Sequence, residues 1–185
     1  SMINPTEHLG LLIIDLQSSL ISKTDEQAEL LNRCSFAIQA ALLLQCKIVV
    51  TEQSPTKLGS ICDELRRILP EEIPVFSKDS FSALDSSGIK KWIGDNQIEH
   101  LLLIGLESSI CIYQTAVAAL GENIGVTLLS DCIAERRIED RQPVIQQLLT
   151  MDAHVLPSET IFYSLIGSAE NPIFNEFTKL VKRYS

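Results

Sequence analysis

The sequence predicts an α/β fold, a three-layer Rossmann-like sandwich with a central, mostly parallel six-stranded sheet. Short apolar runs alternate with longer segments of helical pattern along the 185 residues. The runs are rich in Val, Ile and Leu throughout, which is typical of strands covered on both faces. Alternation of strands and helices with short connections requires right-handed crossovers, and these produce a parallel sheet between two helical layers.

The elements follow one another in a regular order. The predicted strands are "LGLLIID" (9–15), "KIVVTE" (47–52), "IPVF" (73–76), "HLLLIG" (100–105), "IGVTLLSD" (124–131) and "AHVLP" (153–157). The predicted helices lie at about 25–44, 58–69, 87–96, 110–121, 138–150 and 172–184. With 45% hydrophobic residues and no break in composition, residues 1–185 are expected to form a single domain around one core.

The chain is acidic, with a formal net charge of −9 at pH 7 and an isoelectric point near 4.8. A negative field repels polyphosphate, so neither nucleic acid nor an anionic membrane surface is expected as a partner. No apolar run approaches the roughly 18 to 20 residues that span a bilayer. The start of the sequence lacks the basic segment and apolar core of a signal peptide. These features predict a cytoplasmic protein.

The cysteines and histidines do not form a recognisable metal motif. The five cysteines are an odd number without a CxxC pair, which fits neither a disulfide framework nor a zinc cage. His8, His100 and His154 are far apart, and none is three or four residues from another. We therefore expect reduced thiols, no metal and no other cofactor.

Three residues of complementary chemistry follow predicted strands. Asp15 ends the first run, Lys78 lies just past the third, and Cys111 follows the fourth after the glycine of "IGLESSIC". Ligands of such sheets collect at the carboxyl ends of the strands, so the three residues are candidates for one site. Each also has an ordinary structural interpretation, as a capping carboxylate, a solvated cation or a buried apolar thiol.

The three side chains suit nucleophilic catalysis. A thiol at a helix N-terminus lies near unpaired N–H groups and the positive end of the helix dipole, which favour the thiolate. Asp15 can take the thiol proton, Lys78 can orient that carboxylate, and Cys111 can attack a carbonyl. Backbone N–H groups in the glycine turn can hold the oxyanion.

The motifs around these residues resemble those of the isochorismatase-like cysteine hydrolases, over nearly the whole chain. They are "LLIIDLQ" around Asp15, "VTEQSPTKLGS" at 50–60, "FSKDSFSAL" around Lys78 and "GLESSICIYQTAVAAL" around Cys111. The later "LLSDCIAERRIEDR" and "SETIFYSLIGSAENPIFNEFTKLVK" resemble the branch called isochorismatase-domain-containing proteins.

The resemblance implies that Asp15, Lys78 and Cys111 form a catalytic triad. It implies that the backbone N–H groups of Glu107 and Cys111 form an oxyanion hole, and that the Leu106–Glu107 peptide is cis. It also implies a homo-oligomer, because relatives in this family commonly assemble as dimers or larger rings.

Neighbouring residues bear on the choice of substrate. Gln17, Gln53 and Phe81 stand beside the same motifs and are candidate substrate-binding residues, with loop polars and a core aromatic as the alternatives. Metal-dependent nicotinamidases of this family carry an aspartate and histidines after the second strand, where this chain reads "TEQSPTKLG". Isochorismatases usually lack the cysteine, so Cys111 argues against isochorismate as substrate.

The predicted function is hydrolysis of a small-molecule amide, or of a related C–N bond, through a thioester acyl-enzyme on Cys111. Two alternatives remain open. One is a non-catalytic or regulatory binding module on the same fold. The other is a thiol redox protein that uses Cys111, although the sequence offers no adjacent cysteine to resolve an oxidised thiol.

Overall fold

A computed structural model describes residues 5–185 and contains the predicted six-stranded sheet. Its strand order is β3-β2-β1-β4-β5-β6, and each neighbouring pair is parallel. The strands are β1 Leu9–Ile14, β2 Lys47–Gln53, β3 Val75–Lys78, β4 His100–Leu106, β5 Gly125–Ala134 and β6 His154–Leu156. This is the order of the Rossmann fold, in which the winding reverses between β1 and β4.

Helices cover both faces of the sheet, which confirms the three-layer arrangement. They are α1 Ser18–Ile21, α2 Gln27–Leu43, α3 Pro55–Leu58, α4 Asp63–Arg66, α5 Ser87–Asp95, α6 Tyr113–Gly121, α7 Arg141–Thr150, α8 Ser158–Ile166 and α9 Phe174–Arg183. Buried side chains of α2, α4, α8 and α9 pack with Leu11 and Ile13 of β1. Those of α5, α6 and α7 pack with Leu12 and Ile14. Every residue of β1 is therefore buried, as expected for a central strand.

The carboxyl ends of β1 and β4 approach each other closely. Ile14 pairs with Thr51 of β2 on one side and with Gly105 of β4 on the other. Gly105 has a φ of +123°, and a Cβ at this position would collide with the backbone carbonyl of Ile14. Glycine alone meets both conditions. It thus allows β1 and β4 to end side by side at the point where ligands bind in sheets of this order.

Some elements differ from the sequence prediction. The helix expected at 58–69 is limited to α4, because the chain after α3 becomes extended and Ile61 forms a bridge with Gln17. Strand β5 continues to Ala134 instead of ending at 131. Helix α8 is missing from the prediction, although Gly167, which ends it with a φ of +78°, is a recognisable stop signal.

The described part of the chain has no helix that is both long and apolar enough to cross a membrane. The five cysteines are all buried free thiols. Their reactivity therefore depends on which of them borders a cavity and on the charges beside it.

Candidate active site

Three segments bring the candidate side chains to the carboxyl edge of the sheet. Asp15 is the first residue after β1, and Lys78 is the last residue of β3. Cys111 lies in a π-helical turn, Ser108–Ile112, that leads from β4 into α6. Because β1, β3 and β4 are parallel, their carboxyl ends lie at the same edge, and the three side chains converge there.

The ammonium group of Lys78 contacts both other candidates. Its Nζ lies 2.9 Å from Oδ2 of Asp15 and 3.4 Å from Sγ of Cys111. All three residues are buried, and the negative charge of Asp15 acts on the Cys111 thiol. The hydroxyl of Thr51 donates a hydrogen bond of 2.9 Å to Oδ1 of Asp15. The carboxylate is therefore held at both oxygens, beside the sulfur.

Lys78 has more acceptors within reach than it has protons. Its Nζ lies 2.5 Å from Oε1 of Gln53, and 3.1 and 3.0 Å from the backbone carbonyls of Ser80 and Phe81. An ammonium group has three N–H donors, so these contacts share them with Asp15 and Cys111. The surrounding acceptors replace the water that a buried cation loses, and they fix the position of the charge.

Cys111 is a thiol in the resting protein. Burial, and after it the charge of Asp15, raise the pKa of Cys111, Lys78 only partly opposes them, and the net pKa rises from 9.0 to about 12. The expectation that the helix N-terminus favours the thiolate is therefore wrong for this state, because the loss of solvation outweighs the favourable charge. Attack by the sulfur requires a base that removes the proton.

Cys111 and Asp15 border a cavity of about 320 Å³ at the switch point of the sheet. Its wall is mainly apolar. The lining residues are Asp15, Leu20, Gln53, Ser54, Lys57, Leu58, Phe81, Leu106, Glu107, Ile110 and Cys111. A larger cavity of about 410 Å³ lies elsewhere, beside Arg33 and Asp131, and its lining includes no cysteine, serine, threonine or lysine.

The structure places two of the three predicted pocket residues in this wall. Gln53 and Phe81 line the cavity. Gln17 does not, and this expectation is corrected. Its amide donates hydrogen bonds of 2.9 and 2.7 Å to the carbonyls of Gln53 and Gly59, and its Oε1 accepts one of 2.7 Å from the N–H of Gln53. Because all of these polar atoms are engaged by backbone, Gln17 supports the wall from behind.

The turn before Cys111 is held by residues that the sequence analysis did not single out. The Leu106–Glu107 peptide is cis, as the resemblance implied. The Ser108 hydroxyl donates a hydrogen bond of 2.5 Å to Oε1 of Glu135, which also accepts one of 3.2 Å from Arg141. These partners lie in the segment "AERRIEDR", whose charged residues after a buried strand were a usable signal.

The Glu107 carboxylate is held by the same segment. The backbone N–H of Arg136 donates a hydrogen bond of 2.9 Å to Oε1 of Glu107, and the guanidinium Nε lies 3.0 Å from both carboxylate oxygens. Among the described residues, no backbone carbonyl accepts a hydrogen bond from the N–H of Glu107. The side chain and the carbonyl of Glu107 are therefore both engaged within the turn, whereas its backbone N–H has no such partner.

A second ion pair lies farther along the same edge of the sheet. Nε of Arg33 lies 3.0 Å from Oδ2 of Asp131. Asp131 also accepts hydrogen bonds of 2.8 and 2.6 Å from the N–H and hydroxyl of Ser158, the first residue of α8. Burial raises the pKa of Asp131, but the bonds from Ser158 and Arg33 lower it more, so the net pKa lies below 3.8. Asp131 thus caps the first turn of α8.

Within residues 5–185, no three His, Cys, Asp or Glu side chains are placed to hold a metal ion. The carboxylate at the end of β2, Glu52, accepts a hydrogen bond of 2.7 Å from the N–H of Ile61. It therefore supports the loop that crosses the site.

A wholly parallel sheet of this order, with helices on both faces, defines a doubly wound α/β protein. The sequence model of the isochorismatase domain matches residues 10–160, and the chain belongs to the isochorismatase family. Isochorismatase domain-containing protein 2 of Bos taurus is 32% identical over 148 residues, which cover 80% of this chain and 71% of that protein.

Solved structures agree with this assignment. The MAR1 ribonuclease from Caenorhabditis elegans has a TM-score of 0.90 at 28% identity, and the alignment covers 98% of this chain and 93% of that one. The YcaC gene product of Escherichia coli, described as an octameric hydrolase of unknown specificity, has a TM-score of 0.85 at 17% identity, with 97% and 94% covered. At this identity YcaC supports the fold alone.

Proposed function

We propose that the protein is a cysteine hydrolase that cleaves a small amide or a related C–N bond. The observation that carries this proposal is the contact of one buried ammonium group with a carboxylate at 2.9 Å and a thiol at 3.4 Å. Both partners border a cavity. A thiol that keeps its proton at neutral pH, next to a carboxylate that can remove it, is suited to attack on a neutral carbonyl.

The first half-reaction forms a thioester. Asp15 takes the proton from Sγ of Cys111 as the sulfur bonds to the substrate carbonyl carbon, and the C=O electron pair moves to oxygen. Backbone N–H groups of Glu107 and Cys111 stabilise that oxyanion. When the tetrahedral intermediate collapses, the C–N bond breaks and the leaving nitrogen takes the proton from Asp15.

The second half-reaction returns the thiol. A water molecule gives a proton to Asp15 as its oxygen attacks the thioester carbonyl. Collapse then breaks the C–S bond, and Asp15 returns the proton to the leaving sulfur of Cys111. Throughout the cycle Lys78 carries no proton to substrate; it orients the carboxylate and stabilises negative charge on the sulfur.

The size and charge of the site favour a small organic substrate. A cavity of about 320 Å³ is at the small end of ligand pockets. Similarity to a MAR1 ribonuclease makes RNA a substrate worth testing, but the net charge of −9 opposes binding of a polyanion. Five free thiols fit a reducing compartment such as the cytoplasm. The octameric YcaC makes homo-oligomerisation a property to measure by light scattering.

The decisive experiment compares two cysteine variants on a panel of small amides, ureas and carbamoyl compounds. Cys111→Ala is expected to lower turnover by at least about a thousandfold, because it removes the nucleophile. Cys46→Ala is the matched control. Burial raises the pKa of Cys46 to about 12 as well, but Cys46 lies at the opposite end of the sheet, just before β2. Mass spectrometry of the protein during turnover of a slow substrate should show an acyl group on Cys111.

Each competing function predicts a different result. Activity that survives Cys111→Ala would contradict the proposed nucleophile. An intact wild-type protein that binds amides without hydrolysis or adduct would favour the binding module. A reversible disulfide at Cys111 after mild peroxide would favour the redox protein, and cleavage of RNA by wild type and not by Cys111→Ala would change the substrate class.

A further inference from the structure

The cavity beside Cys111 has an apolar wall with three charged side chains. The apolar lining residues are Leu20, Leu58, Phe81, Leu106 and Ile110. The charged residues are Asp15, Lys57 and Glu107. Asp15 is paired with Lys78 at 2.9 Å, and Glu107 is paired with Arg136 at 3.0 Å. Both negative charges of the wall are therefore already matched within the protein.

Lys57 is the charged lining residue without such a match. In the part of the chain that the structure describes, no carboxylate lies within ion-pair distance of its ammonium group. The exposed carboxylate of Asp79, in the loop after β3, accepts a hydrogen bond of 2.7 Å from the hydroxyl of Ser54. Lys57 thus leaves one uncompensated positive charge at the mouth of a mainly apolar cavity.

The backbone that carries Lys57 is attached at one end to strand β3 and at the other to helix α1. Before α3, the N–H of Ser54 donates a hydrogen bond of 2.8 Å to the carbonyl of Lys78. At the end of α3, the carbonyl of Leu58 accepts a hydrogen bond of 2.6 Å from the hydroxyl of Ser19. The position of Lys57 relative to Cys111 is therefore set by hydrogen bonds, and its side chain extends from a fixed segment at the cavity.

We propose that Lys57 selects substrates that carry an anionic group, such as a carboxylate, on an apolar body next to the bond to be cleaved. This inference rests on the proposed function and deepens it by naming the substrate class. The apolar wall would receive the body of the molecule, Cys111 would receive the carbonyl, and Lys57 would pair with the anion. Because Lys57 is exposed, salt screens its charge, and its effect on an anion is largest at low salt.

Two alkylating reagents of matched shape test the inference without a known substrate. Iodoacetate is anionic and iodoacetamide is neutral. With either, the Cys111 sulfur bonds to the CH2 carbon, iodide leaves, and the thiol proton goes to solvent. Rate constants are measured on the Cys111 peptide by mass spectrometry, at low salt and fixed pH. Both reagents react with the same thiolate, so the ratio of the two rates cancels any change in the pKa of Cys111.

Lys57→Gln is expected to lower the iodoacetate-to-iodoacetamide ratio by about three- to tenfold, in the range of a partly screened charge pair. Lys57→Glu should lower it further, and added NaCl should reduce the ratio in the wild type more than in Lys57→Gln. Lys47→Gln is the control. Lys47 is also exposed, and its substitution removes the same charge. It begins β2, at the opposite end of the sheet. Its ratio should equal that of the wild type.

The outcomes separate the inference from the function on which it rests. If Cys111 reacts normally and Lys57→Gln leaves the ratio unchanged, Lys57 does not recognise anions and the hydrolase proposal stands. An equal drop with Lys47→Gln would show a general charge effect and would also overturn the inference. If neither reagent modifies Cys111 in the wild type, the thiol is inaccessible, and both proposals fail.

Discussion

Two ion pairs lie at the carboxyl edge of the same sheet, and they have different surroundings. The Asp15–Lys78 pair has 1% of each side chain exposed and contacts a thiol beside a cavity of about 320 Å³. The Asp131–Arg33 pair is 25% and 12% exposed and borders the larger cavity, of about 410 Å³, whose lining has no cysteine, serine, threonine or lysine. Neither the size of a cavity nor the presence of a buried ion pair is therefore enough to identify the candidate active site.

The hydrogen bonds of the two pairs explain the difference. Asp131 is bonded to Arg33 and to both the N–H and hydroxyl of Ser158, which starts α8. These contacts hold α2, β5 and α8 together. Asp15 is bonded to Lys78 and Thr51, and it also interacts with the Cys111 thiol. One carboxylate is thus committed to structure, whereas the other has a proton donor next to it.

The largest expected contrast is in activity. Asp15→Asn keeps the shape of the side chain but removes the proposed base for the thiol proton, so kcat/KM should fall by about 10²- to 10⁴-fold. Asp131→Asn should leave kcat/KM within a few-fold of the wild type. The measurement is hydrolysis of the best amide from the panel. Equal losses for the two variants would remove the functional distinction between the pairs.

The next contrast is in stability. Lys78→Met leaves Asp15 buried without a counter-charge, and the free energy of unfolding should fall by about 3–5 kcal/mol. Arg33→Met leaves Asp131 with two hydrogen bonds from Ser158 and partial access to solvent, so the loss should be about 1–3 kcal/mol. Urea unfolding at pH 7 measures both. A larger loss of unfolding free energy for Arg33→Met than for Lys78→Met would show that the deeper burial of the Asp15–Lys78 pair does not make its disruption more costly.

The sequence alone was enough to predict the sheet and the meeting of Asp15, Lys78 and Cys111 at one of its edges. Strands buried on both faces are apolar at nearly every position, so their runs are visible without tertiary information. Asp15 follows such a run, and Lys78 ends the short edge strand β3, whose other residues are exposed or half-buried. Parallel topology then determines that they share an edge, and no knowledge of individual contacts is required.

The remaining parts of the site depend on contacts between distant segments. Ser108 and Glu135 are 27 residues apart, and Arg33 and Asp131 are 98 residues apart. A charged residue in a loop has the same local pattern whether or not such a partner exists. Gln17 illustrates the point, because its place in the sequence suggests a pocket residue while its three backbone hydrogen bonds give it a structural role. The balance between desolvation and nearby charge at Cys111 likewise depends on packing.

The smallest expected contrast concerns the pH dependence of stability. The folded protein keeps the Cys111 proton up to a pKa of about 12, whereas the unfolded thiol ionises near 9.0. The contribution of this thiol is therefore fully present below pH 9 and is lost as the pH rises toward 12. For Asp131 the folded pKa lies below 3.8, so its contribution is present above that pH and is lost as the pH falls through the folded pKa.

In a plot of unfolding free energy against pH, one substitution should therefore flatten the alkaline limb and another the acid limb. Cys111→Ala should reduce the decline in unfolding free energy between pH 9 and 10 by about 1 kcal/mol, and should leave the acid limb unchanged. Asp131→Asn should flatten the acid limb and leave the alkaline limb unchanged. Subtracting the curve of each variant from that of the wild type cancels the titration of all groups that the two proteins share. Because burial also raises the pKa of Cys46 to about 12, Cys46→Ala should flatten the alkaline limb as much as Cys111→Ala while hydrolysis is retained. If Cys111→Ala left that limb as steep as in the wild type, the folded thiol would ionise near 9.0, as in the unfolded chain, and burial would not raise the pKa of Cys111.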